Sequence, residues 1–78
     1  MTDEEIQLYV HERLNHAREK HPEFACDVKE AILALVSECG EALQEVVKRR
    51  PCWEENMNYE LIDVITVACR ILRGEHKH

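Results

Sequence analysis

An all-α fold is predicted by three features of the chain. Its composition is rich in Glu, Lys, Leu, Ala and Val, with only two glycines and two prolines in 78 residues. Two long segments, Ala31 to Val47 and Leu61 to Leu72, are apolar over much of a helical surface. The two prolines, Pro22 and Pro51, fall between helical patterns and divide the chain into three. Seventy-eight residues make one domain, residues 1–78, with a small core.

Helix one is expected over Asp3 to about Lys20. Thr2 or Asp3 can cap it, and Asp3, Glu4 and Glu5 suit the positive end of the helix dipole. Its apolar stripe is Ile6, Tyr9, Val10, Leu14 and Ala17, and the remainder is charged, so it reads as a half-exposed cover. His21-Pro22-Glu23-Phe24-Ala25 breaks it, and Phe24 reads as a hydrophobic plug. Helix two is expected from about Asp27 to Arg49, with Asp27 as N-cap and Glu30 completing a capping box. Gly40 in its middle costs about 1 kcal/mol relative to Ala and suggests a close approach to the backbone. The connection 49–55 follows, holding Trp53 as a loop plug or a base-stacking platform. Asn56 is the expected N-cap of helix three, which runs to about Arg73. Arg70 and Arg73 suit its negative end, Gly74 closes it, and Glu75 to His78 is expected to fray.

Helices two and three are apolar over more surface than three helices of this length can cover. A helix apolar on most sides is buried on most sides. The expected architecture is therefore a helical bundle formed by homodimerisation, as a dimer or a dimer of dimers. The net charge of −6 argues against an open nucleic-acid polymer as partner. No apolar run approaches a membrane span, so no membrane partner is expected. Cys26, Cys39, Cys52 and Cys69 form no C-x-x-C, and two of them lie in apolar helical runs. With no signal peptide or targeting segment recognised, reduced thiols and a cytoplasmic location are expected.

The chemistry centres on Glu38 and Glu41, and on Glu60 and Asp63. Each pair is spaced i, i+3 and so shares a helix face. Each is embedded in an apolar run, where an ionised carboxylate is unfavourable by several kcal/mol unless compensated. When helix three folds back on helix two, Glu41 lies about seven residues before the turn and Glu60 and Asp63 about four and seven after it. At ~1.5 Å per residue the pairs come level. Four facing carboxylates call for a cation. An all-oxygen set favours Mg²⁺, with Mn²⁺ as the other suitable ion. No histidine lies in helix two or three, against a di-iron or zinc site. Glu45 shares the Glu38 stripe and is a candidate further ligand. Lys48 is either an exposed cation at the helix end or a contact to substrate phosphate.

The segment Leu35-Val-Ser-Glu38-Cys-Gly-Glu41-Ala-Leu, an 18-residue spacer after Glu41, and Tyr59-Glu60-Leu-Ile-Asp63-Val resemble the MazG-like all-α nucleoside triphosphate pyrophosphohydrolases. The Lys20-His21-Pro22-Glu23-Phe24 turn is similar to small members of that family. The resemblance covers roughly Lys20 to Gly74. It implies Mg²⁺-dependent cleavage of a nucleoside triphosphate, often a deoxynucleotide, between the α and β phosphates, releasing monophosphate and pyrophosphate. It implies that Glu38, Glu41, Glu60 and Asp63 hold the metal, with Glu38 and Glu41 foremost in catalysis. Glu45, Lys48 and Trp53 are then candidates for substrate contact. Ser37 and Tyr59 stand where many members carry Glu. Two further readings therefore remain beside the enzyme: a metal- or nucleotide-binding homodimer with little turnover, and a purely structural helical dimer. Base and sugar preference are not written in the sequence.

Overall fold

The computed structural model describes residues 1–77 as three α-helices: α1 (Asp3–Lys20), α2 (Val28–Lys48) and α3 (Trp53–Leu72). No strand occurs among the described residues. α3 packs along α2 and also against α1, whereas α1 and α2 do not pack directly on one another. α3 is thus the shared floor, with α1 and α2 as two walls.

Local chemistry sets the helix ends. Thr2 caps α1 in a full capping box: its hydroxyl accepts from the Glu5 N–H, and the Glu5 carboxylate accepts from the Thr2 N–H, both at 3.2 Å. Asp27 caps α2 by accepting from the Glu30 N–H at 2.8 Å. The expected reciprocal half is absent, because the Glu30 carboxylate takes the Cys26 thiol at 2.8 Å instead. α2 ends at Lys48, with Arg49 in the left-handed region at φ 48°. α3 starts at Trp53, so Asn56 is not its cap and Trp53 is not in a loop. Cys52, left-handed at φ 65°, precedes the helix without a side-chain cap, and Glu54 and Glu55 lie in the first turn. Gly74, at φ +73°, closes α3 as predicted. Its N–H reaches the Ile71 carbonyl and that of Glu75 reaches Arg70, the paired bonds of a Schellman motif.

The segment after Gly74 does not fray as expected. Glu75 binds Arg18 of α1, with Arg18 Nη2 2.7 Å from its Oε2, and accepts from Arg70 Nε at 2.9 Å. His76 is buried. His78, the last residue of the expected tail, lies outside the described residues. Arg70 does lie in the last turn of α3, as expected. It is 2% exposed, donates to the backbone carbonyls of His21 and Ala17, and stacks on the Phe24 ring at 4.7 Å. Phe24 is half-buried under that guanidinium, in keeping with a plug.

The interior is thin. Among the described residues Ala25, Ala31, Ala42 and Ile62 are its buried apolar residues, and no large side chain is fully buried. The radius of gyration is 13.0 Å, against about 11.5 Å for a compact 78-residue domain. Val28, Ile32, Leu33, Val36, Leu43 and Val47 of α2 are exposed, Val47 by 73%. Cys39, expected to act as a buried hydrophobe, lies exposed among them, as does Gly40, beside which no atom of the chain would meet an added Cβ. The close approach expected at Gly40 is therefore not made by this chain. All four cysteines are free thiols, and no helix of the described residues is long and apolar enough to cross a membrane.

Candidate functional site

The i, i+3 pairs on α2 and α3 face one another where those helices pack. Glu38, Glu60 and Asp63 each place a carboxylate oxygen within 4.8 Å of the others, and all three are partly buried. Glu41 lies outside this trio and is exposed, but it is near enough to raise the carboxyls of both Glu38 and Glu60. The structure thus brings three of the four expected ligands together and sets the fourth at their rim.

Crowding of like charge shows in the protonation equilibria. Burial, then the adjacent Glu41 and the charges of Asp63 and Glu60, push the Glu38 carboxyl up to about 7. Burial and Glu41 also raise Glu60. Burial raises Asp63, although Arg13 pulls in the other direction. Arg13 Nη1 stands 3.2 Å from Asp63 Oδ1. The Oε2 atoms of Glu38, Glu45 and Glu60 are shielded from solvent and have no hydrogen-bond partner among the described residues. Orphaned buried carboxylate oxygens are rare because each forfeits its hydration. Here they point to a compensating group that the protein itself does not supply. An all-oxygen donor set with unspent acceptors is what hard divalent cations take, so these residues fit such an ion.

Of the other candidates, Glu45 is near enough for its charge to raise Glu60. Glu45 is half-buried, with Arg50 at 3.8 Å. Lys48, at the end of α2, is exposed. Trp53 is half-buried under the Arg49 guanidinium, whose Cζ is 5.8 Å from the ring centroid. Neither Lys48 nor Trp53 lines the main cleft. Tyr59 packs edge-on against Tyr9, with ring centroids 5.6 Å apart.

A cleft of about 400 Å³ opens beside the acids, between α1 and α2 with α3 beneath, within the roughly 300–1,000 Å³ of small-ligand sites. Glu38 and Asp63 form part of one side and Arg13, His16 and Lys20 part of the other. Sequence reasoning missed these three α1 residues. The available signal was the stripe Tyr9, Arg13, Ala17, Lys20, which puts two cations on the apolar face of α1. No family model, curated protein or solved structure is significantly similar to the chain.

Proposed function

We propose that the protein is a Mg²⁺-dependent nucleoside triphosphate pyrophosphohydrolase, acting on deoxynucleotides foremost and releasing monophosphate and pyrophosphate. The observation that carries this reading is the trio Glu38, Glu60 and Asp63, with two of its buried oxygens unpartnered and its protonation equilibria raised. Glu38, Glu60 and Asp63 would hold the ion, with Glu41 at the rim able to join or to accept a proton from water. Bound there, Mg²⁺ (or Mn²⁺) offsets phosphate charge and makes a nucleophile available near neutral pH. The carboxylates would hold such an ion beside the cleft, and the α2–α3 packing fixes their spacing.

The working form in this reading is a homodimer or a dimer of dimers in the cytoplasm. Its support is the exposed apolar stripe of α2, together with Leu61, Ile65 and Leu72 on α3. A second reading, metal or nucleotide binding with little turnover, is favoured by one observation: Tyr59 is engaged with the Tyr9 ring.

The test is pyrophosphate release from a panel of canonical and modified NTPs and dNTPs, with Mg²⁺ and with EDTA. Metal-dependent release that disappears in Glu38→Gln, with oligomeric state unchanged, is the expected result. Normal turnover by Glu38→Gln overturns the site assignment. Metal binding without release by the folded wild type selects the second reading.

A further inference from the structure

The cleft has two walls of opposite charge, and the acidic wall alone accounts for a metal. We infer that the α1 wall, Arg13, His16 and Lys20, is a polyphosphate-binding row that receives the anionic chain of the ligand while its cation rests on the α2–α3 acids. This rests on the pyrophosphohydrolase reading for the identity of the ligand, but not for the geometry of the row.

Four observations carry it. The three residues, at i, i+3 and i+7, occupy one face of α1, and all line the same concavity as Glu38 and Asp63. They do not lie on the outer face of α1, where cations at a protein surface are ordinarily found. His16 and Lys20 are exposed and have neither a hydrogen bond nor an ion pair with the described residues, so no protein group holds their donors there. Arg13 spends one contact, at 3.2 Å, on Asp63, between side chains 42% and 28% exposed. A cation that binds Asp63 frees that guanidinium to turn to a phosphate oxygen. The row also extends over about 10 Å of helix, at ~1.5 Å per residue. That is a line of donors, suited to a chain of phosphates better than to a single one.

Arg70 also lines the cleft, but it does not belong to the row. Its Nε is given to Glu75, its Nη1 to the Ala17 carbonyl and its Nη2 to the His21 carbonyl. Those bonds anchor the floor of the cleft and commit three of the five guanidinium N–H donors, while the Glu75 carboxylate balances the charge. Arg13 differs from it in making a single, half-exposed contact and Lys20 in making none among the described residues, and a planar guanidinium beside an ammonium provides both bidentate and point-charge recognition of phosphate.

The experiment is calorimetric titration of the full chain with inorganic tripolyphosphate, in Mg²⁺ and in EDTA. Wild type is compared with Arg13→Gln, Lys20→Gln and the double variant, with Lys29→Gln, outside the cleft, as control. Each cleft variant is expected to weaken tripolyphosphate binding about tenfold, the loss of one charge-assisted contact, with the control unchanged. Lys20 is exposed, so its variant retains the fold even if Arg13→Gln does not. Equal binding by wild type and Lys20→Gln, or no binding of tripolyphosphate by wild type, overturns the inference. The two readings fail separately. If the row is wrong and the enzyme right, Mg²⁺-dependent pyrophosphate release persists undiminished in Lys20→Gln. If the enzyme is wrong and the row right, tripolyphosphate still binds and still weakens with Lys20→Gln while no substrate is cleaved.

Discussion

Arg13 on α1 pairs with Asp63 on α3 at 3.2 Å, so one of the three clustered acids already has a positive partner from the opposite wall. Such a partner competes with any metal. A half-exposed pair of this kind contributes about 0.2–1 kcal/mol. Arg13→Gln is therefore expected to tighten Mg²⁺ binding in the absence of nucleotide by roughly 1.4- to 5-fold. Direct titration of the variant with Mg²⁺ measures this, and weaker binding than wild type would remove Arg13 as a competitor.

The Glu38 carboxyl is pushed up to about 7 by burial and by its acidic neighbours. A group whose folded value lies above its ordinary 4.5 binds protons more readily in the folded state. Its contribution to stability is fully present below about 4.5 and is lost as pH rises through about 7. Glu60 and Asp63 shift in the same direction. The metal-free protein should thus have a higher urea midpoint at pH 5 than at pH 8, with a flatter profile in Glu38→Gln. Mg²⁺ binds the ionised acids, so its stabilisation should be greater at pH 8. A midpoint that rises steadily from pH 5 to 8 without metal would contradict the assignment.

Glu75 behaves in the opposite sense. Its bonds to Arg18 and Arg70 hold the carboxyl below its usual range, so its stabilisation is lost as pH falls through that lowered value, under 4.5. Glu75→Ala leaves the buried Arg70 without its carboxylate. The expected loss is about 1.5–3 kcal/mol, a large share of the ~3–5 kcal/mol that a single core of this size supplies. Urea unfolding measures it, and a loss near zero would mean the docked segment is incidental.

Association is tested on the outer face of α2. Leu43→Glu places a charge in the exposed stripe and should shift sedimentation toward the monomer. Gly40→Ala should raise helix stability by about 1 kcal/mol, since an added Cβ meets nothing within the chain. Gly40→Leu should instead weaken association if a neighbouring helix crosses there. A wild type that sediments as a monomer at every concentration would end the dimer proposal.

The three helices and the two acidic pairs were legible because each depends on local spacing. Apolar periodicity marked α1, α2 and most of α3, and i, i+3 carboxylates share a face whatever lies around them. Ends set by backbone conformation were less visible. Asn56 is a good capping residue, yet α3 begins three residues before it, after a left-handed Cys52. Glu54 and Glu55 following Pro51 were the sign of that earlier start. Arg70 does lie in the last turn of α3 as expected, but its bonds to Glu75, Ala17 and His21 depend on the end of α1 meeting the end of α3, which no local spacing shows. Arg13, His16 and Lys20 were passed over for the same reason: a cation on an apolar stripe gains meaning only once the opposite wall of the cleft is known.

The absence of direct packing between α1 and α2 has a consequence for the newly made chain. α1 is synthesised before α2 and α3, but its partners are α3 and Glu75, the latter 57 residues beyond Arg18. A helix with no buried residue of its own must therefore wait for most of the chain. At about 5–20 residues per second, that wait lasts several seconds. During it the apolar stripe of α2 is uncovered as well, and it is still exposed once the three helices have packed.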